Sequence, residues 1–185
     1  MPPRVARPTV PLSDGVVRLE PLDERFAAAL DALATDPDVI RFTRVPSKPR
    51  EGFGATWIRA YNNGWDDGSR AGFAILDDAD AGFLGMAAFV QLEHESHQGE
   101  IGYIVAPAAR GRGVAVRAIR VLAAWGFSEL GLERIEAWID VGNDVSKRVV
   151  ERVGFACGGV EHSVDFKEGL RADMAVYSLR AGELR

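Results

Sequence analysis

The stretch Glu100-Ile-Gly-Tyr-Ile-Val-Ala-Pro-Ala-Ala-Arg-Gly-Arg-Gly-Val-Ala115 joins two different hydrophobic periods within one short segment. Its first part alternates from residue to residue, which predicts a strand that must end before Pro107, because proline cannot donate to a sheet ladder. From Val114 to about Leu130 the apolar residues recur at helical spacing, and glycine follows directly. We therefore predict a strand, a glycine-rich turn and a long helix at the centre of the fold.

The turn Arg110-Gly-Arg-Gly113 has the composition of an anion site. The first amides of a helix have no partner within the helix, and the helix dipole places partial positive charge there. Two glycines leave room for a phosphate, and two arginines add charge. The turn lacks the lysine of a Walker loop, and Val116 stands where a dinucleotide fingerprint has its third glycine. A plain surface turn with two exposed arginines remains the alternative.

The composition limits the class of protein. The chain has 185 residues, 47% hydrophobic and 26% charged, which suits one substantial core and is short for two domains. A net charge of −5 argues against a general nucleic-acid or membrane-surface binder. Cys157 has no partner cysteine, and we expect a small buried side chain there. With no apolar run of signal-peptide or membrane-span length, we expect a cytoplasmic protein.

The remaining pattern alternates strands and helices and predicts an α/β fold of the mixed α+β kind. We expect a single twisted, mostly antiparallel sheet with one central parallel βαβ step and helices on both faces. Residues 1–13 are predicted to form a flexible N-terminal arm, and residues 14–185 a single domain. The segment Asn62–Gly68 has the composition of a turn that would end a helix near residue 63. The predicted strands lie near 16–20, 73–76, 83–92, 100–105, 134–139, 155–165 and 174–179.

The central segment resembles the acetyl-CoA signature of the GNAT acetyltransferases, Arg/Gln-x-x-Gly-x-Gly/Ala, at Arg110, Gly113 and Ala115. The resemblance is specific because several blocks of the RimJ/RimL-like branch follow one another in order. It covers residues 82–179 strongly and the opening residues 14–22 more weakly. The blocks are Glu100-Ile-Gly-Tyr103, Trp125-Gly-Phe127, Leu130-Gly-Leu-Glu-Arg134, Asn143-x-x-Ser146 and Val153-Gly-Phe155.

The resemblance implies that acetyl-CoA binds between the strand of residues 100–105 and the strand of residues 134–139. The backbone near Ile104 and Val105 would pair with the pantetheine arm. Asn143 and Ser146 would meet the pantetheine or the acetyl group, although Asn143 is also a favourable helix N-cap that need do nothing else. No metal is implied. The pyrophosphate would lie on the turn and the start of the helix, at Arg110, Gly111, Arg112, Gly113, Val114 and Ala115.

The chemistry of transfer is less well defined by the sequence. Many family members carry a tyrosine as general acid four residues before the Gly-Phe pair, and Val150 occupies that position here. Ser146 or a water molecule is then the candidate acid. Glu100 is the candidate general base, with a solvated or cross-strand-paired glutamate as the alternative, and His94 and His97 are weaker candidates.

We therefore predict an N-acetyltransferase that moves acetyl from acetyl-CoA to a primary amine by direct attack. The preferred acceptor is the α-amine of a peptide or protein N-terminus, as the RimJ/RimL-like resemblance implies. A small amine such as an amino acid, a polyamine or an antibiotic is the alternative acceptor, and a non-catalytic acetyl-CoA-binding module is the alternative function. We expect no nucleic-acid or membrane partner, and a homodimer is left open. Phe42–Lys48, the region of Trp57, Tyr61 and Trp65, and the loop before Asp173 should set acceptor choice.

Overall fold

The computed structural model describes residues 5–185 and has the predicted order of elements. A 3₁₀ turn at Glu24–Phe26 leads into α1, another at Pro107–Ala109 precedes α4, and a third lies at Ala181–Glu183. The helices are α1 (Ala27–Ala34), α2 (Pro37–Phe42), α3 (Phe53–Asp67), α4 (Val114–Ser128) and α5 (Asp144–Val153). The strands are β1 (Leu12–Ser13), β2 (Val17–Pro21), β3 (Ala71–Asp77), β4 (Phe83–Glu93), β5 (Gln98–Val105), β6 (Arg134–Asp140), β7 (Ala156–Lys167) and β8 (Leu170–Leu179).

The strands of residues 5–185 form one sheet in the order β1-β2-β3-β4-β5-β6-β8-β7. Each neighbouring pair is antiparallel except β5 and β6, which run parallel and are connected through α4. This arrangement confirms the predicted mixed sheet with a central parallel βαβ step. The parallel connection requires a crossover element, and the long apolar helix after the glycine-rich turn provides it.

Helices cover both faces of the sheet, and each face has its own core. On one face α4 packs against the alternating side chains of the central strands, with Phe73, Phe89 and Ile101 among them. On the opposite face α1, α2 and α3 cover the other set, which includes Ala74, Met86 and Ile104. The alternation of β5 therefore places Ile101 and Tyr103 toward α4, and Ile104 toward the N-terminal helices.

The segment Asn62–Gly68 is helical, so its prediction as a turn is wrong. It continues α3 to Asp67, and Gly68 ends the helix in the left-handed conformation with φ +78°. Trp65 is fully buried and packs edge-on against Phe73 with ring centroids 5.3 Å apart. Burial of this aromatic ring outweighs the weak helix propensity of the asparagines and glycine around it.

Residues 5–13 of the predicted N-terminal arm contact the rest of the domain. Val5 is buried with 4% exposure, Leu12–Ser13 pairs with β2, and the Arg7 guanidinium lies 5.7 Å from the Trp65 ring centroid. The flexibility of the arm stays a prediction, and residues 1–4 lie outside the described part. The limits of the domain, 14–185, stay a prediction.

Cys157 is exposed, which corrects the prediction of a buried side chain. It lies in β7, whose residues 156–163 are all exposed. β7 is the last strand of the sheet order and pairs only with β8 among the described strands. A small apolar residue in such an edge strand has no second layer to pack against, and the sequence alone did not show that β7 would be the edge.

Candidate active site

The segment Arg110–Gly113, here called the glycine turn, lies between β5 and α4 and is open to approach. Gly111 and Gly113 have φ of +76° and +77°, and a Cβ built on either would meet nothing within 4 Å. Gly113 is the N-cap of α4 and offers no side-chain oxygen to the first amides of that helix. An exposed helix start without a side-chain cap can bind an anion through its backbone, as the sequence predicts.

The other residues predicted for the pyrophosphate follow the glycine turn directly. Val114 is buried and Ala115 is half-buried in the first turn of α4, so both present backbone rather than side chain to a ligand. The structure thus brings Gly111, Gly113, Val114 and Ala115 together at one helix start. Their contiguity in the sequence made this part of the site predictable.

The two arginines of the glycine turn differ in their surroundings. Arg110 forms ion pairs with Asp36 at 2.9 Å and Asp38 at 3.3 Å, and its Nε donates to the Val105 carbonyl at 3.2 Å. Arg112 is 58% exposed, with its guanidinium 3.9 Å from Asp77. Arg110 therefore ties the glycine turn to the start of α2, whereas Arg112 is the more available charge.

The contact with Arg110 also lowers the pKa of the Asp36 carboxyl. Burial acts to raise the pKa of Asp36, but hydrogen bonds from Arg110 and from the amides of Val39 and Asp38 outweigh it, and the pKa lies below its usual value. Asp36 is also the N-cap of α2. One carboxylate thus caps α2 and anchors the glycine turn.

β5 and β6 separate after a short paired segment and form what we call the strand opening, between residues 101–105 of β5 and 137–140 of β6. Their pairing covers only Gln98–Glu100 with Arg134–Glu136. Beyond that level β5 follows β4, and β6 follows β8. No strand of residues 5–185 pairs with the backbone edges that face each other across the strand opening, so an extended ligand could pair with them. The predicted residues Ile104 and Val105 lie along it.

A β-bulge accounts for the separation. The register of β4 against β5 shifts between Phe89 and Gln91, opposite Ile101 and Glu100. A bulge bends a strand and increases its local twist. Because the shift lies at the level where the β5–β6 pairing ends, it turns β5 away from β6.

Glu100 lies at the base of the strand opening, on the face that the N-terminal helices cover. It is half-buried, and burial raises the pKa of its carboxyl, with the nearby Glu136 adding to the rise and Arg44 opposing it. Glu136 is engaged by Arg134 at 2.7 Å and by the Trp138 indole N–H at 3.0 Å. Within residues 5–185 Glu100 makes no comparable hydrogen bond or ion pair.

A groove of about 210 Å³ runs beside Glu100 on the same face. Three carboxylates and one aromatic ring dominate its walls, so the groove favours a cationic ligand with a short apolar part. Its lining is Gln91, Glu93, Gln98, Gly99, Glu100, Glu136 and Trp138.

Asn143 and Ser146 lie at the start of α5, at the far side of the strand opening. The Asn143 side-chain oxygen accepts a hydrogen bond from the Ser146 amide at 3.1 Å, so Asn143 is the N-cap of α5. The Ser146 hydroxyl is 2.5 Å from the Tyr103 hydroxyl. Val150 is fully buried, so the position that carries the family's tyrosine contributes to the core here.

Tyr103 is the residue of this site that the sequence analysis missed. The alternating pattern of β5 identifies it only as an apolar side chain, yet its hydroxyl oxygen also lies 3.3 Å from the Ser146 carbonyl oxygen. Burial raises its pKa well above the usual value, so the phenol stays neutral. Its place within the Glu100-Ile-Gly-Tyr103 block was the available signal.

The two histidines considered as bases lie outside the groove. His94 Nε2 lies 2.7 Å from the Gly68 carbonyl oxygen, and His97 Nδ1 lies 3.2 Å from that of Gly131. Both belong to the turn between β4 and β5. Each imidazole ring thus has one nitrogen hydrogen-bonded to a backbone carbonyl.

The region predicted to set acceptor choice is divided between core and surface. Tyr61 and Trp65 are buried, whereas Trp57 is half-buried. The tip of the β7–β8 hairpin contacts the loop after α2, where Lys167 donates to the Val45 carbonyl at 2.9 Å and Ser47 donates to Glu168 at 2.7 Å.

No helix within residues 5–185 is long and apolar enough to cross a membrane. These residues also include no group of three or more histidine, cysteine or acidic side chains that could hold a metal ion.

Comparison with known proteins places the chain in a family. The profile of the acetyltransferase (GNAT) domain matches residues 17–156. A Bacillus subtilis protein provisionally named ribosomal N-acetyltransferase YdaF is 34% identical over 116 residues, 60% of this chain and 63% of the relative, so the chain spans less than two thirds of that protein. The Escherichia coli K12 spermidine N(1)-acetyltransferase is 24% identical over 143 residues, 77% of this chain and 74% of the relative.

A solved structure of RimL, an α-N-protein acetyltransferase of ribosomal L7/L12 in complex with coenzyme A, has the same fold. It superposes with a TM-score of 0.81 at 18% identity and covers 92% of this chain and 97% of its own. The family profile spans the glycine turn, the strand opening and α5. The chain therefore belongs to the acetyltransferase (GNAT) family and has the RimJ/RimL-like relatives that its motifs predict.

Proposed function

We propose that this protein transfers an acetyl group from acetyl-CoA to a primary amine, preferentially the α-amine of a peptide or protein N-terminus. The observation that carries the proposal is Glu100, a half-buried carboxylate of raised pKa without a hydrogen-bond partner among residues 5–185, at the base of the strand opening. A carboxylate held in this way is suited to accept a proton at the point where the two substrates would meet.

The chain's own features fit acetyl-CoA. The open glycine turn and the uncapped start of α4 suit the pyrophosphate through the amides from Gly111 to Ala115, with charge from Arg112. The edge of β5 that faces β6 near Ile104 and Val105 has no strand partner among residues 5–185, although the Val105 carbonyl accepts from Arg110, and this edge suits the extended pantetheine arm. When bound, acetyl-CoA supplies the activated thioester. Asn143 keeps a role at the start of α5, where its side-chain oxygen already caps the helix.

Glu100 would deprotonate the acceptor. The acidic groove attracts an ammonium group, Glu100 removes one proton to give the neutral amine, and the amine nitrogen then forms its bond to the acetyl carbon. The nitrogen loses its second proton to solvent as the carbon–sulfur bond breaks with its electron pair on sulfur. The sulfur takes a proton from solvent, and Glu100 returns its own proton to solvent. The reaction thus yields an amide and a free thiol.

The acceptor's own pKa favours an α-amine. Neutralising an α-amine of pKa about 8 at pH 7 costs about 1.4 kcal/mol, and neutralising a lysine of pKa about 10.4 costs about 4.6 kcal/mol. A site with one carboxylate base and no tyrosine at position 150 suits the smaller cost. The names of the YdaF and RimL relatives, which refer to ribosomal proteins, support a protein acceptor.

A polyamine is the second candidate acceptor. Glu93, Glu100 and Glu136 line the groove together, and a ligand with several ammonium groups would satisfy more than one of them. The spermidine acetyltransferase among the relatives supports this candidate. It differs from the first in requiring charge along the ligand rather than one amine next to a peptide bond.

The test is an acetylation panel read by mass spectrometry. It would contain peptides with free N-termini, the same peptides with blocked N-termini and an internal lysine, and spermidine. We expect the free N-termini to be acetylated fastest. A preference for spermidine would replace the first candidate with the second. Binding of acetyl-CoA with no thiol release for any amine would contradict transfer altogether and support a binding module.

A further inference from the structure

Tyr103 and Ser146 connect the two sides of the strand opening. Tyr103 belongs to β5 and Ser146 to the first turn of α5, 43 residues later, and their hydroxyl oxygens are 2.5 Å apart. Tyr103 also reaches the Ser146 carbonyl at 3.3 Å. The pair lies on the α4 side of the sheet, and Glu100 lies on the opposite side. The strand opening thus has a carboxylate on one face and two hydroxyls on the other.

The direction of the hydrogen bond decides what Ser146 can do. Each hydroxyl has one proton, and either oxygen could be the donor of the short contact. If Tyr103 gives its single proton to the Ser146 hydroxyl oxygen rather than to the Ser146 carbonyl, the Ser146 hydroxyl proton is left to point elsewhere. Burial keeps Tyr103 protonated, so the phenol remains a donor over the whole range in which the protein would work.

The family's tyrosine position lies on α5, the same helix that carries Ser146. Val150, where other family members have a tyrosine, lies one helical turn after Ser146 on α5 and is fully buried. Tyr103 brings a phenol to the same helix from a different element. Its hydroxyl, however, contacts Ser146 rather than open space.

We propose that Tyr103 is a positioning residue that turns the Ser146 hydroxyl toward the CoA sulfur, where it donates a hydrogen bond to the departing thiolate. The inference rests on the proposed acetyl transfer. No proton leaves Ser146 in this arrangement: the electron pair of the broken carbon–sulfur bond stays on sulfur, the hydrogen bond stabilises it, and solvent supplies the proton of the thiol. Tyr103 acts only through Ser146.

A purely structural role for Tyr103 is the competing explanation, and the chain offers a matched control. Tyr177 of β8 also hydrogen-bonds α5, through Glu151 at 3.0 Å. Tyr177→Phe removes a phenol that ties α5 to the sheet but has no contact with Ser146. Tyr103→Phe keeps the ring and removes only the hydroxyl.

The first experiment measures the thiol of bound CoA and needs no amine. The ultraviolet absorbance of the thiolate is titrated with pH in the wild-type complex and in complexes of Tyr103→Phe, Ser146→Ala, the double variant and Tyr177→Phe. We expect the bound thiol to have a pKa below the value of about 8.5 for a free thiol. Tyr103→Phe and Ser146→Ala should each raise that pKa by about one unit, because each removes the hydrogen bond to the charged sulfur.

The pattern among these variants identifies the role of Tyr103. The double variant should raise the thiol pKa no further than Ser146→Ala does, and Tyr177→Phe should leave it unchanged. An unaltered thiol pKa in Tyr103→Phe, with CoA still bound, would overturn the proposal. Because this readout does not involve the acceptor, it stands even if the preferred amine proves to be spermidine.

The second experiment is a double-mutant cycle on turnover with the fastest acceptor of the panel. Each single variant should lower kcat about tenfold or more and leave the affinity for CoA unchanged. Tyr103→Phe should cost nothing further in the Ser146→Ala background. An additive loss would show that Tyr103 acts by holding α5 through the Ser146 carbonyl, a contact that Ser146→Ala retains, and would refute the positioning role.

Discussion

The glycine turn and the strand opening are the two parts of the candidate site, and they are built in opposite ways. The glycine turn is contiguous in sequence, exposed, and formed mainly by backbone with positive φ at Gly111 and Gly113. The strand opening combines half-buried side chains from separate elements, Glu100 and Tyr103 of β5 with Ser146 of α5. One part offers amides, and the other offers hydroxyl and carboxyl groups removed from water.

This difference separates binding from chemistry. An anion can be held by amides that any residues with the right backbone provide, so local conformation decides the affinity. Proton transfer instead needs a side chain whose pKa is shifted by its surroundings, which requires burial by distant segments. Changes at the glycine turn should therefore alter CoA affinity, and changes at the strand opening should alter turnover.

The largest effect should come from Glu100→Gln. Glutamine keeps the size of the side chain but cannot take a proton, so turnover at neutral pH should fall by a factor of about 10² to 10⁴ while CoA affinity stays nearly constant. The loss should shrink at high pH, where the acceptor amine is already neutral. Steady-state rates against pH measure both effects, with the exposed Glu133→Gln as control.

Two outcomes would contradict this role for Glu100. Equal impairment at neutral and high pH would show that Glu100 holds the strand or the acceptor in place. Full activity at neutral pH would transfer the role of base to His94, His97 or water.

Gly113→Val should have the next largest effect and should act on binding. A valine side chain would fill the open space at the turn and resist the φ of +77°, so CoA should bind about a hundredfold more weakly. Gly131→Val is the matched control, since Gly131 also has a positive φ of +64° with nothing within 4 Å of its Cβ position. Calorimetric titration with CoA and thermal melting would be measured for both. Equal losses of CoA affinity would sink the assignment of the glycine turn.

Replacing either arginine of the glycine turn should have a smaller effect, and the effect should differ between Arg110 and Arg112. Arg112→Ala should weaken CoA binding a few-fold and reduce its dependence on salt, because Arg112 is the exposed charge. Arg110→Ala should also lower the melting temperature, since it removes the contacts with Asp36, Asp38 and Val105. CoA titrations at two salt concentrations, together with melting curves, test this. Identical behaviour of the two variants would contradict the difference between them.

The smallest effect should be the pH dependence that Glu100 gives to the stability of the folded protein. The folded-state pKa of Glu100 is raised by burial, so the folded protein binds more protons than the unfolded chain between the unfolded and folded pKa values. Stability is therefore lost as pH rises through that window, and the charged carboxylate is a net cost at pH 7. Glu100→Gln should raise the melting temperature at pH 7 and have little effect below the unfolded pKa. A lower melting temperature at pH 7 would mean that Glu100 has a stabilising partner.

Much of the fold was predictable because its elements carry local signals. The structure begins or ends an element at each of three such signals. They are the change of hydrophobic period around Pro107, the proline at the start of α2 and the glycine after α5. The failures have tertiary causes. Trp65 keeps Asn62–Gly68 helical because its ring packs in the core, and Cys157 is exposed because β7 ends the sheet.

The candidate site shows the same division. The residues predicted for the pyrophosphate lie together, since they are neighbours in the chain. Arg110 was predicted as a phosphate ligand, but its side chain faces Asp36 and Asp38, which precede it by more than seventy residues. The contact of Tyr103 could not be predicted, because an alternating pattern does not distinguish a buried ring from one whose hydroxyl has a partner on another helix.

The sequence by itself determined the order of strands and helices, the glycine turn and the family, since hydrophobic period and backbone preference act over a few residues. Only the tertiary structure decided where β5 leaves β6, that Glu100 is half-buried without a hydrogen-bond partner among residues 5–185, and which hydroxyl meets Ser146. These depend on the bulge in β4, on the engagement of Glu136 by Arg134 and Trp138, and on the packing of α5. Interactions between segments far apart in the chain have no local pattern, and the chemistry of this site depends on them.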